Sequence, residues 1–359
     1  MSDTIPVVWC FGNRGDRCHG MLQHAFSGQL WPTTLTFRHI LDHNDPEMDG
    51  HGAVVIVSGG VQRAYADEIA RALDKLSWAL VVVAADEEGR FPWRKLLGPN
   101  RKIWLQMPHG DKHAGVDRKF CIGWPGGTRE ILAKLAPACP DASRRFPWAF
   151  IGQMQHPQRR ACVEMLGRRT DGGLLSRTAG YSRGYKVEEY LQMMTCAYLA
   201  PNPSGTHTAD CFRIWESLEA GCLPIVERRC PSEEANYDYW ADLLGGPPPF
   251  PVVTSWEEFN TLGNIFRGMP EKRQQETNRA MAWWIGQKRA LVHALEDDIS
   301  SLADGDRGKL GTGLSPSPLK HSPDKFIHQQ EGDSPEMMRR MIWRCNWDAD
   351  WFGTLPVLT

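Results

Sequence analysis

The sequence predicts an α/β protein built from two doubly wound parallel-sheet domains in tandem, with a cleft between them. Three observations predict it. At 359 residues the chain exceeds the usual size of one hydrophobic core. Its first third alternates short β-branched runs with helical patterns, and the same alternation restarts after residue 146. Strand, loop, helix, strand in repetition is the pattern of a parallel sheet covered on both faces.

The elements follow in order. Pro6–Phe11 reads as a strand ending in the loop Gly12-Asn13-Arg14-Gly15-Asp16, with a helix over Arg17–Phe26. Ala53–Val57 is a second strand, followed by Ser58-Gly59-Gly60 and a helix over Gln62–Leu76. Trp78–Ala85 is apolar along its whole length, as a strand buried on both faces must be. Lys102–Gln106 is a fourth strand. Turn residues in Trp124–Gly127 and Pro137–Arg145 mark the interdomain connection. The second domain then reads strand Trp148–Ile151, helix Pro157–Leu166, strand Cys196–Ala200, helix Asp210–Ala220, and strands Leu223–Val226 and Phe250–Val253. One long helix is expected over Pro270–Ile299, broken at Gly286, with Met281, Trp284, Ile285, Leu291, Val292, Leu295 and Ile299 near one face. Domains are therefore drawn at 1–143 and 144–300. Residues 301–359 form a Gly-, Ser- and Pro-rich linker over Asp304–Ser334 and an apolar terminal helix over Pro335–Trp351.

Composition narrows the function. With 41 basic and 43 acidic residues the formal charge is −2, which disfavours a nucleic-acid partner without excluding a local basic patch. The start MSDTIPVVWCFG lacks the pattern of a signal peptide, and no apolar run approaches the roughly 20 residues of a membrane span, so a cytoplasmic protein is expected. The 10 cysteines are scattered singly with no CxxC, which reads as free, mostly buried thiols. Cys18-His19 lacks further ligands at metal spacing, so no metal site is expected. No GxSxG and no GxxxxGK[ST] occurs, against a serine hydrolase and a P-loop NTPase.

The richest segment is Thr208–Glu227. Cys211, Ile214, Trp215 and Leu218 recur at helical spacing and form a buried stripe, while Arg213 and Glu216 are neighbours on the other face. Asp210 or Thr208 caps the start, Gly221 ends the helix, and Pro224 opens a buried strand. The preceding loop holds Ser204, Gly205 and Thr206; its amides and the helix dipole favour an anion such as a diphosphate. Arg213 adds a charged donor and Glu216 an acceptor for ribose hydroxyls. A plain surface Arg–Glu pair fits the same spacing.

Phe212-Arg-Ile-Trp-Glu-Ser-Leu-Glu-Ala-Gly-Cys-Leu-Pro-Ile-Val226 resembles the donor-site motif of the exostosin-like glycosyltransferases, and within them the ribitol xylosyltransferase branch of dystroglycan-glycan synthesis. Phe146–Gly152 followed by Arg160 is similar to the opening of that family's donor domain. Pro251–Trp256 resembles its later strand and helix start, and Val83–Glu87 its acceptor-domain strand ending in an acidic residue. The resemblance implies a GT-B fold of two Rossmann-like domains, a nucleotide-sugar donor, expected to be UDP-linked, and transfer with inversion and no obligatory metal or other cofactor. Carried over by position, Arg160 and Arg213 would meet the donor's diphosphate and Glu216 the ribose; Gln153, Ser204, Gly205 and Thr206 complete the expected donor-binding set. The acceptor would be a glycan, a polyol phosphate or a small molecule.

Candidates for the acceptor's base lie where the first sheet's strands end. Asp86-Glu87-Glu88 follows a buried strand, and Glu87 matches the family's acidic position best. Asp16 and His19 follow the first strand, and His109 and Asp111 follow Met107-Pro108. Asp348-Ala-Asp350 matches a DxD triplet in letters but sits in the terminal segment, and Trp283-Trp284 reads as core. Three other readings share the pattern: a sugar-nucleotide epimerase, a non-catalytic carbohydrate- or nucleotide-binding protein, and a transferase acting on modified DNA.

Overall fold

The structure, a computed structural model, describes residues 4–10, 20–40, 49–59, 63–135, 144–154, 157–178, 184–233 and 236–304. The segment expected as linker and terminal helix, including Asp348 and Asp350, lies outside them, as do Asp16 and His19.

Two all-parallel sheets carry the fold. The first has six strands: β1 (Ile5–Trp9), β2 (Phe37–Ile40), β3 (Gly52–Ser58), β4 (Trp78–Ala84), β5 (Arg101–Gln106) and β6 (Arg118–Phe120). They stand in the order β2-β1-β3-β4-β5-β6. The second has five strands: β7 (Phe146–Gln153), β8 (Leu174–Thr178), β9 (Ala197–Asn202), β10 (Leu223–Glu227) and β11 (Val252–Val253), in the order β11-β10-β9-β7-β8. Each sheet grows first to one side and then to the other, so each has a topological switch point, at β1/β3 and at β7/β9. The central strands are buried end to end: Val81, Val82 and Val83 of β4 are all fully inaccessible, as are Leu223, Ile225 and Val226 of β10. Strands covered on both faces have no polar side to show.

The helices are α1 (Gly20–Ala25), α2 (Ala66–Leu73), α3 (Thr128–Lys134), α4 (Pro157–Gly167), α5 (Val187–Thr195), α6 (Phe212–Glu219), α7 (Tyr239–Leu244), α8 (Glu258–Gly268) and α9 (Pro270–Ala303). The structure adds elements that the pattern did not expose: the edge strands β2 and β8, the three-residue β6, and the helices α3, α5 and α7. Short edge elements carry too few residues for a period to register. The break expected at Gly286 is absent. A lone glycine costs a helix about 1 kcal/mol, and the buried face on either side outweighs that.

At 34 residues α9 is about 50 Å long and spans both sheets. Its middle packs on the second domain, where Trp283 and Trp284 stack with Trp215 of α6, the core role expected of them. Its end returns to the first sheet. There the Asp298 carboxylate accepts hydrogen bonds from Lys102 at 2.8 Å, Trp104 Nε1 at 2.8 Å and Arg118 Nε at 2.7 Å, and Glu296 accepts one from the Thr33 hydroxyl at 2.7 Å. A half-buried lattice of charge thus fixes the last helix to the first sheet. The seven described cysteines are free thiols, five of them buried. Among the described residues no helix is long and apolar enough to cross a membrane.

Candidate functional site

In the second sheet, β7 and β9 diverge at their carboxyl ends, and polar side chains gather in the gap. Gln153 closes β7, Asn202 closes β9, Ser204 follows it, and Arg213 rises from the first turn of α6. The guanidinium of Arg213 lies 5.5 Å from the Phe150 ring centroid. It also packs on Gly152 so closely that an added Cβ would sit 3.3 Å from Nη2. Among the described residues no carboxylate lies at ion-pair distance from it, though its charge acts on Glu216, and its Nη1 is buried with no hydrogen-bond partner. Gln153 Oε1 and Asn202 Oδ1 are buried and unpartnered as well. Buried polar atoms are nearly always satisfied, so these three exceptions beside a switch point mark the candidate ligand site.

The surroundings correct several expectations. The helix cap is Cys211, which makes no side-chain capping bond. Asp210 instead turns back and binds Trp215 Nε1 at 2.6 Å, the Tyr239 hydroxyl at 3.3 Å and, from the other domain, the Ile122 amide at 2.8 Å. Burial pushes its carboxyl up to about 6 against these three donors. The Ser204 amide is already taken by Glu227 at 2.8 Å and the Gly205 amide by the Thr208 carbonyl at 2.9 Å. Neither is offered to an anion, and the Ser204 side chain is fully buried beside the Cys230 thiol. Thr206 is exposed at the loop tip, its carbonyl accepting from Cys230 and Ser232.

Arg213 and Glu216 do not form a surface pair. Glu216 is buried and accepts a hydrogen bond from the Tyr190 hydroxyl of α5 at 3.0 Å. Burial pushes its carboxyl up to about 7, with Tyr190 and the Arg213 charge pulling the other way. On α4, Arg160 is exposed whereas Arg159 is buried. The buried Cys211 thiol senses the charges of both Arg213 and Arg159.

The loop that carries Ser204 is pinned from beneath. Glu227 holds the Ser204 amide with one oxygen and Trp256 Nε1, at 2.6 Å, with the other. Glu233 accepts from the Ala209 amide at 3.0 Å and the Cys230 amide at 2.7 Å. Sequence reasoning missed both carboxylates, because an acid that serves backbone amides across 24 residues leaves no local signature.

Across from this crevice stand the carboxyl ends of the first sheet. Contacts join the two rims: Ile122 to Asp210, Lys119 to Asp242 at 2.5 Å, and the Tyr237 hydroxyl to the Pro108 carbonyl at 3.2 Å. Gln106 ties three strand ends together, accepting from the Ala85 amide at 3.1 Å and donating to the Cys121 and Ile122 carbonyls. Ala85 and Met107, the residues that follow β4 and β5, adopt left-handed backbone with φ of 53° and 56°. Non-glycine residues in that region carry strain that the surroundings must hold, and such positions cluster at functional sites.

The carboxylates proposed as bases are placed differently from the sequence reading. Asp86 is buried, and its two oxygens accept from the Arg90 and Phe91 amides at 3.1 and 2.9 Å. It anchors its own loop. Glu87 is exposed on the turn, and Glu88 pairs with Arg90. His109 is brought inward instead: the imidazole packs against Gly89, where an added Cβ would meet it at 2.7 Å. Asp111 follows in the turn Gly110–His113. A small, partly open pocket of about 20 Å³ is lined mainly by apolar side chains, among them Trp215, Trp283, Trp284 and Leu291, with Gln287 and Lys288.

No protein-family model matches the chain, and a search of curated proteins finds no match to it.

Proposed function

We propose that the protein is a glycosyltransferase of GT-B type that moves a sugar from a nucleotide diphosphate donor, UDP-linked by resemblance, to an acceptor hydroxyl. The observation that carries the reading is the Arg213 guanidinium, half-buried in the first turn of α6 against β7 at the β7/β9 switch point, with its Nη1 lacking a hydrogen-bond partner. A protein keeps an unpaired buried cation where a ligand supplies the anion. The neighbouring unpartnered acceptors, Gln153 Oε1 and Asn202 Oδ1, call for hydroxyl or amide donors on the same ligand. An anion bearing hydroxyls, as in a sugar diphosphate, meets both demands, and the likeness of Phe212–Val226 to the exostosin-like donor motif supports the same reading.

In this reading Arg213 and Arg159 stand at the diphosphate and stabilise the charge it gains as the glycosidic bond breaks. Glu216, steadied by Tyr190, accepts from the ribose. A single in-line displacement inverts the anomeric carbon. The acceptor enters from the first domain, whose strand-end loops form the opposite wall. The helix α9, anchored to both domains, holds the two walls in register.

Release of nucleoside diphosphate from UDP-xylose or UDP-glucose, followed with and without an acceptor panel, tests the proposal. Release that depends on acceptor and disappears in Arg213→Ala is the expected result. Donor binding that Arg213→Ala leaves intact would remove the site assignment. Interconversion of the nucleotide sugar without acceptor would favour an epimerase.

A further inference from the structure

We propose that Asp210 and Gln106 are positioning residues that couple the two walls of the cleft: a ligand that orders the crevice at Arg213 tightens the loop Ala85–Phe91 of the first domain through one chain of hydrogen bonds. The proposal rests on the donor reading of that crevice. The chain begins in the segment that carries the candidate site. The Thr208 hydroxyl donates to the Asp210 carbonyl at 3.2 Å. Gly205 lies so close to the Thr208 and Asp210 carbonyls that an added Cβ would stand 3.1 and 3.2 Å from them. Asp210 precedes Cys211, the cap of α6, and one of its carboxylate oxygens holds Trp215 Nε1 of that helix at 2.6 Å. The other oxygen crosses to the first domain and accepts the Ile122 amide at 2.8 Å. The Ile122 carbonyl accepts from Gln106 Nε2 at 3.1 Å, and Gln106 Oε1 accepts from the Ala85 amide at 3.1 Å. Ala85 leads into Asp86, whose carboxylate holds the Arg90 and Phe91 amides.

Each link has a fixed sense. Gln106 is fully buried, with a backbone amide at one end of its carboxamide and the Cys121 and Ile122 carbonyls at the other. Those neighbours decide which end is oxygen. Asp210 is buried too, and the Tyr239 hydroxyl of α7 is a third donor to it at 3.3 Å. The other rim contacts, Lys119 to Asp242 and Tyr237 to Pro108, come from α7 and the segment before it. Asp210 is the rim contact that belongs to the donor segment.

The far end of the chain stores strain. Ala85, at φ 53°, is bonded to the Gln106 carboxamide, and Met107, at φ 56°, is the next residue in the chain after it. Non-glycine residues stay left-handed only where their surroundings hold them, so loss of the Gln106 bonds releases the loop end. Held and released are two discrete arrangements, because a packed interior switches rather than stretches. An element with two arrangements is what one site must bias for coupling to reach another. Linkage gives the converse: a molecule that orders Ala85–Phe91 tightens the crevice by the same factor.

Backbone amide exchange tests the proposal, because the links contain their own reporter amides. Exchange in the whole chain is followed residue by residue with and without saturating UDP, GDP or inorganic pyrophosphate, and calorimetry measures the binding of each. A ligand that binds is expected to slow the Ile122, Ala85, Arg90 and Phe91 amides by about 5- to 150-fold, while the amides of α2, in the same domain but off the chain, keep their rates. Binding that leaves those four amides unchanged overturns the coupling. Equal slowing in α2 also overturns it, since that marks stabilisation of the whole fold. Gln106→Met fills similar space and makes no hydrogen bond. It is expected to bind the ligand within a few-fold of wild type, to keep the slowing at Ile122 and to lose it at Ala85, Arg90 and Phe91. Slowing that persists at Ala85 in this variant removes Gln106 from the chain. The wild-type exchange stands as a test even if Gln106→Met does not fold. Absence of binding by all three ligands removes the donor reading and the coupling with it; binding without slowing removes the coupling alone.

Discussion

Replacing Arg213 with methionine separates a residue kept for a ligand from one kept for the fold. The methionine preserves the aliphatic stem over Phe150 and removes the charge. In the free protein Nη1 is buried without a partner, a situation that costs about 1–3 kcal/mol. The flanking aromatic returns about 0.5–1 kcal/mol. Arg213→Met is therefore expected to leave the ligand-free protein as stable as wild type or about 1 kcal/mol more stable. With ligand the order reverses. A donor at about 100 times Kd stabilises wild type by roughly 2.7 kcal/mol. Losing a charged hydrogen bond worth about 1.5–3 kcal/mol weakens binding roughly 10- to 100-fold. The same donor concentration then adds only about 0.4–1.4 kcal/mol. Urea melts of both proteins, with and without UDP-sugar, give all four numbers. A variant that is markedly less stable alone, yet stabilised by donor as much as wild type, would refute the reasoning and make Arg213 a structural residue.

Three further expectations follow from the same contacts. Glu227→Ala strands the Ser204 amide and Trp256 Nε1 and is expected to cost about 2–4 kcal/mol in urea melts, with weaker donor binding as the loop loosens; stability equal to wild type would contradict the anchor. Asp298→Ala leaves Lys102 and Arg118 without their carboxylate and is expected to cost about 3–5 kcal/mol, lowering the melting midpoint in calorimetry. His113 is pushed down from 6.5 to about 3, chiefly by burial, so the unfolded chain takes up its proton first as pH falls. Its contribution is complete above pH 6.5 and declines toward pH 3. His113→Asn, which keeps an acceptor for the His109 amide, is therefore expected to gain about 2 kcal/mol on wild type between pH 7 and pH 5. A constant difference across that range would exclude the titration.

Much of the fold was legible because its signals are local. The apolar runs of β3, β4 and β10 have no polar alternation, and that alone identifies strands covered on both faces. The spacing Cys211, Ile214, Trp215, Leu218 identified α6 and its buried stripe before any neighbour was known. Arg213 could be picked out for the same reason: it is the basic residue in the first turn of a helix that follows a strand. Burial of Glu216 was not legible, because a residue one turn along lies on the open face or beneath α5 according to where α5 packs. The choice between Arg159 and Arg160 was equally hidden, since adjacent helical residues differ by about 100° and only the packing of α4 decides which one turns inward.

What the sequence by itself determined is therefore the type and order of most elements, the doubly wound class and the helix on which the donor reading rests. Hydrophobic period, turn residues and helix punctuation act over a few residues and need no partner. The tertiary structure alone decided which polar atoms remain unpartnered, and where. Asp86 and Glu87 are neighbours in the chain, yet one anchors a loop and the other faces water. His109 becomes the inward group only because the ends of β4 and β5 are turned by Ala85 and Met107 and clamped by Gln106. Those relations join residues tens of positions apart, and such separations come together only when the sheet has ordered its strands.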